Sequence, residues 1–165
     1  MLEFYGTLGT DLEEQFRIYM VDMFHFRERT PSKEFVGGDT FNFGTTTVEI
    51  IHTPGHTPGH SCLFFKEEEL LFLADIDLTS FGPWYGDACS DLEQTIASIK
   101  LIRDFPAKTF ITAHGEGIIR GSIAKKADAF LRVIDQRENA LLDFLKEPRT
   151  MDEIVYKWII YKKPR

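Results

Sequence analysis

The 165-residue chain is short of several things, and each shortage removes a class of function. It has two cysteines, Cys62 and Cys89, which are not closely paired. The start of the chain also shows no secretory apolar region. A disulfide framework is therefore not expected, and the thiols are expected to be reduced, in a cytoplasm. Positive charge is scarce: 19 Lys and Arg face 26 Asp and Glu, a formal net charge of -7. That balance argues against nucleic acid or an anionic membrane as a partner. No apolar run approaches the roughly 18 residues that a membrane helix needs. Internal repeats, low-complexity tracts and long linkers are missing too, so the length fits one domain with a small appendage. Histidine is also rare, with five in all, which makes the placement of each informative.

What is abundant is phenylalanine, at fifteen residues, enough to give a core or interface large flat surfaces. Apolar residues at Leu12, Phe16, Tyr19, Met20 and Met23 predict a helix over 11–26. Pro31 and the pair Gly37-Gly38 break the pattern. Phe41 and Phe43 alternate with polar residues, Gly44 turns the chain, and Val48, Ile50 and His52 share one face of the returning strand. Two apolar runs, 61–66 and 70–74, flank "EEE" as a second hairpin. Ser90 with Glu93 reads as a capping box for a helix carrying Leu92, Ile96, Ile99 and Ile102. Pro106 stops it, and 109–113 is a short buried strand. A long amphipathic helix is expected over 122–147, and a last one is capped by Thr150 and Glu153. The order predicts a mixed α and β fold with hairpins, not a regular doubly wound sheet.

Three of the five histidines fall in "HTPGHTPGH", at His52, His56 and His60. The Pro-Gly pairs exclude a helix there, so the segment reads as strand, tight turn, strand, with His56 near the apex. A glycine before a histidine allows close backbone approach, and an imidazole on a rigid turn is a good metal ligand. Two further polar residues close apolar runs: Asp75 ends "LLFLAD" and His114 ends "TFITAH". His, Asp and His combine borderline nitrogen with hard oxygen, a set suited to zinc or a similar divalent ion. On spacing alone each has a plainer reading, a loop cap for the aspartate and a surface or core residue for the histidines.

The motif "HTPGHTPGH", followed by a strand ending in "AD" and another ending in "AHG", resembles the second half of the metallo-β-lactamase-fold hydrolases, which include glyoxalase II. The resemblance covers residues 40–121. It implies that His56, Asp75 and His114 are metal ligands, Asp75 being the catalytic carboxylate that bridges two ions. It implies a supporting place for His60, with His52 left as a strand residue. Within "DIDLTSFGPWYGD" it implies that Trp84 and Tyr85 wall the substrate site and that Asp77 is a supporting carboxylate, with Asp87 in the same loop. Glu116 is placed to orient His114 or simply to sit in solvent.

The family's upstream motif, His-x-His-x-Asp-His, is absent, and the only histidine before His52 is His25. The implied fold is α+β, half of an αββα sandwich, with a mixed sheet and helices on one side. It spans residues 1–147, with a C-terminal helical extension beginning in 148–165. The chain is either a natural short protein or a fragment of a longer one, and it is expected to hold at most one weakly bound Zn²⁺ or none. Two functions follow. One is a metal-dependent hydrolase of a small-molecule ester, thioester, amide or phosphodiester; the other is a non-catalytic remnant serving as a binding or structural module. Half a sandwich exposes an apolar sheet face, which predicts a homodimer.

Overall fold

The computed structural model describes residues 10–27 and 29–161, with side chains from Glu14 onward. Leu12, the first of the predicted helical stripe, lies outside the described side chains, and the closing "KKPR" lies outside the described residues. The elements are α1 (Thr10–Phe24), β1 (Thr40–Phe43), β2 (Thr46–His52), β3 (Ser61–Phe65), β4 (Leu70–Phe72), α2 (Leu92–Arg103), β5 (Thr109–Ile111), β6 (Ile118–Arg120), α3 (Ala124–Phe144) and α4 (Met151–Val155). The six strands form one sheet in sequence order. All neighbours are antiparallel except β4 and β5, which run parallel because α2 carries the chain back between them.

Strand alternation sorts the side chains. Cys62, Leu71, Leu73, Phe110 and Ile119 face the helices and enclose a core with Ile99 and Ile102 of α2 and Ile123, Ala127 and Phe130 of α3. Phe110 and Leu71 are completely enclosed, and each contributes about 1.5–3 kcal/mol by leaving water. The residues between them in sequence point the other way. Leu63 pairs with Phe72 and Phe65 with Leu70 on a second face that carries no helix of the core. The two core helices, α2 and α3, therefore lie on one side.

Several boundaries differ from the sequence reading. The N-cap of α2 is Asp91, whose side chain accepts from Gln94 N–H; Ser90 is drawn off to another acceptor described below. The long helix starts at Ala124, not at Ser122, and has no side-chain cap. β6 was not expected, since "IIR" between two glycines is too short to show a period. On α1, Tyr19 and Met23 are exposed, and of the described side chains Phe16 and Met20 are half-buried. The capping box of α4 is present as read, with Thr150 and Glu153 bonding reciprocally, although the helix is only five residues long. Among the described residues no helix is long and apolar enough to cross a membrane.

Candidate metal centre

The histidine turn, residues 53–60, is docked on the start of α2 by three consecutive carbonyls. Ser98 Oγ donates to Pro54 O at 2.7 Å, Asp91 N–H to Gly55 O at 2.8 Å, and Ser90 Oγ to His56 O at 2.9 Å. This is where the Ser90 hydroxyl goes instead of capping the helix. The docking is close because Gly55, at φ 130°, has no side chain. A Cβ there would lie 2.2 Å from Thr95 N. Rigid docking fixes the direction of His56.

A second clamp reaches the same imidazole from the far side. Arg137 of α3 donates to Phe81 O at 2.6 Å and Pro83 O at 2.7 Å, and its guanidinium lies over the rings of Phe81 and Tyr85. The loop so held presents Trp84 O to His56 Nδ1 at 3.3 Å. A carbonyl can only accept, so Nδ1 carries the proton and Nε2 keeps a lone pair. That lone pair faces Asp75 Oδ2 at 3.7 Å. Two lone-pair atoms this close repel unless a cation, a proton or a donating water lies between them.

Asp75 and His114 meet because parallel strands end together. Phe72 pairs with Ile111, and just beyond the ladder Ala113 N–H donates to Ala74 O at 3.0 Å. The next residue on each strand is thereby carried to one edge. His114 Nε2 stands 3.5 Å from Asp75 Oδ1, the carboxylate oxygen that His56 does not face. The turn is strained: Ala74 adopts φ 49° and Leu78 φ 54°, left-handed positions costing about 1–2 kcal/mol each. Buried His60 supports it. Its Nδ1–H donates to Thr53 O at 2.9 Å, and its Nε2 accepts Asp75 N–H at 3.3 Å. Burial lowers the pKa of His60, so it stays neutral and keeps that acceptor. His52 also turns to the backbone, its Nε2–H donating to Pro58 O at 2.9 Å.

The remaining candidates are placed differently. Asp77 Oδ1 accepts from both the N–H and the hydroxyl of Thr79, so this carboxylate ties its own loop. Glu116 pairs with Lys126 at 2.6 Å and not with His114. Trp84 Nε1–H donates to Asp87 Oδ2 at 3.0 Å, and its ring lies 5.8 Å from that of Tyr161. Sequence reasoning missed Arg137, and no signal was there to find it: a lone arginine on a helix, 54 residues from Pro83.

Among the described residues, no group of three or more His, Cys, Asp or Glu is gathered tightly enough to hold a metal ion. His56, Asp75 and His114 form a chain with the carboxylate in the middle, one imidazole per oxygen. The donor chemistry fits a divalent ion on each side of Asp75. The donor count is low, because zinc sites use three or four protein ligands and each side offers two.

The sequence profile of the metallo-beta-lactamase superfamily matches residues 5–114. The chain belongs to that superfamily. Hydroxyacylglutathione hydrolase of Rhizobium johnstonii is 31% identical over 107 residues, 63% of this chain and 42% of its own length. An atrochrysone carboxyl ACP thioesterase of Aspergillus fumigatus is 29% identical over 118 residues, 72% of this chain and 27% of its own. A metallo-beta-lactamase family protein of Thermus thermophilus superposes with TM-score 0.67 at 21% identity, over 90% of this chain and 54% of that one. A further solved structure was obtained in a di-iron-bound form; it is 24% identical with TM-score 0.50, over 61% of this chain and 48% of its own. The chain thus spans less than half the length of these curated relatives, and its sheet with helices on one face matches part of the metallo-β-lactamase fold. The profile match also begins well before residue 40, where the recognisable motifs start.

Proposed function

We propose that this chain supplies His56, Asp75 and His114 to a metal-dependent hydrolase that cleaves a thioester by attack of water. The observation that carries the reading is the Asp75 carboxylate, with an imidazole nitrogen facing each of its oxygens and the His56 lone pair fixed toward one of them. The choice of thioester over other carbonyl or phosphoryl esters rests on the relatives, whose names describe an acylglutathione hydrolase and an acyl-carrier thioesterase. A divalent ion held there would polarise a scissile carbonyl and acidify water enough for attack near neutral pH. The residues of this chain set the donors for it. Trp84 O fixes the His56 tautomer, and His60 holds the Asp75 backbone. The ion proposed is zinc, although the same nitrogen and oxygen donors suit iron. With two donors per side, occupancy is at most one weakly held ion.

One observation favours the second reading, a non-catalytic module: neither side of Asp75 has a complete ligand set among the described residues. The test is a Zn²⁺ titration by calorimetry on the chain and on Asp75→Ala and His56→Ala, run beside a hydroxyacylglutathione hydrolysis assay. Weak binding that both variants abolish, with turnover, supports the hydrolase. The same binding without turnover assigns the module. Binding that neither substitution changes removes the proposed centre altogether.

A further inference from the structure

Between α3 and the C-terminal segment lies a cavity of about 530 Å³ whose lining does not include His56, Asp75 or His114. Ile134 and Leu141 of α3 form one wall, and Ile154, Val155 and Trp158 of the C-terminal segment form the wall opposite. Tyr85 and Leu92 close its inner end. The size falls within the range of small-ligand sites. The walls are mostly apolar, with two charged residues on the lining: Glu138, which is exposed, and Arg137, which is only 7% exposed.

Among the described residues the charge of Arg137 has no counterion. Its partners are two carbonyl oxygens and two aromatic faces, all neutral. Glu138 is an acidic neighbour on the lining, but it is exposed and makes no ion pair with the guanidinium. A guanidinium is always charged and offers five donors, and two carbonyls do not neutralise it. Burying such a charge against dipoles alone is costly, and an arriving carboxylate would offset that cost through a charge-assisted bond. An apolar slot with a buried cation on its lining is complementary to one kind of molecule. It must have an apolar chain and a single negative head.

We propose that this cavity binds a medium-chain monocarboxylate, with the chain between α3 and the C-terminal segment and the carboxylate on Arg137. The site is separate from the Asp75 centre and does not depend on hydrolysis or metal. A link to that centre exists in the covalent structure: Arg137 holds Phe81 O and Pro83 O, and the next residue, Trp84, gives its carbonyl to His56. Occupancy of the slot is therefore felt where the His56 tautomer is set.

The experiment is calorimetric titration of the metal-free chain with decanoate, decanol and decyltrimethylammonium below their micelle concentrations. Decanoate is expected to saturate at one per chain and to bind at least about ten-fold tighter than the cation or the alcohol, as one charge-assisted bond requires. Leu141→Trp, which fills the slot from the half-buried end of α3, is expected to weaken decanoate at least about ten-fold at that same scale. Val155→Trp is the second filling variant; Val155 is 64% exposed, so the fold does not depend on it. Arg137→Lys keeps the charge but loses the fork and should reduce the preference for decanoate over decanol. No saturable binding overturns the proposal, and so does equal binding of decyltrimethylammonium. Decanoate affinity indifferent to both tryptophan variants places the ligand elsewhere and overturns it as well. A filling variant that changes the mass of the particle in solution instead would assign the slot to a protein segment, with the same consequence.

Discussion

The two Pro-Gly units of "TPGHTPGH" are the same in sequence and different in the fold, and a pair of alanine substitutions separates them. A Cβ at Gly55 would sit 2.2 Å from Thr95 N and 2.5 Å from its Cα, both backbone atoms inside α2 that cannot swing aside. At Gly59 an added Cβ meets nothing within 4 Å. In Gly55→Ala the turn must lift off α2 and give up the three bonds to Pro54 O, Gly55 O and His56 O. At about 1 kcal/mol per bond that is ~3 kcal/mol, and a non-glycine residue at φ 130° adds roughly 1–2 kcal/mol. For a domain of this size, each kcal/mol moves Tm by roughly 2–4 °C, so a fall on the order of 10 °C is expected. Gly59→Ala should stay within about 0.5 kcal/mol of the parent, the scale of an ordinary surface change. Thermal melts by circular dichroism read both. Equal melting of the two variants would refute the docking of the turn on α2 and with it the fixed direction of His56.

Further outcomes follow from the same structure. Burial pushes the Cys62 thiol up to about 11, against 9.0 for an ordinary cysteine, so it stays protonated in the fold while the unfolded chain ionises. Stability from this source is complete below pH 9 and is lost between 9 and 11 at about 1.4 kcal/mol per unit; Cys62→Ala should flatten that slope in urea titrations. Asp91→Ala should cost about 1 kcal/mol by removing the cap of α2, whereas Ser90→Ala should leave helix content unchanged in the far-ultraviolet spectrum. We also propose that the second sheet face, where Leu63, Phe65, Phe72 and Ile111 are half-buried, packs against a second copy of the chain. Light scattering should then give twice 19.0 kDa, and Phe65→Glu should return it to a single chain. A parent of 19.0 kDa at micromolar concentration would dismiss the dimer.

What the sequence made legible was local. Pro and Gly exclude helix wherever they stand, so the turn around His56 could be read directly. Asp75 and His114 were visible as polar residues closing apolar runs, because a strand that leaves a buried sheet announces its end by a change of polarity. Their meeting was not legible from either run alone. It depends on β4 and β5 pairing in parallel, a contact between segments nearly forty residues apart that only α2 makes topologically possible. The resemblance supplied the triad, and the pairing supplies the physical reason for it.

The misses share a cause. Ser90 and Asp91 are adjacent capping residues, and local rules cannot say which will cap. The choice is made by the histidine turn, which arrives from 34 residues earlier and takes the Ser90 hydroxyl for His56 O. Arg137 is the same case at greater distance. On its own helix it is one more charged residue, and its burial follows only from the loop carbonyls at Phe81 and Pro83. Asp77 runs the other way. A carboxylate two residues after Asp75 invites a shared role, yet the nearest donors are the N–H and hydroxyl of Thr79, and short-range bonding wins. Residues whose polar atoms find no local partner are the ones drawn to distant elements. His56 is one of them. Its turn leaves the ring with one hydrogen bond, to Trp84 O, and a lone pair beside Asp75 Oδ2 that is open to a cation.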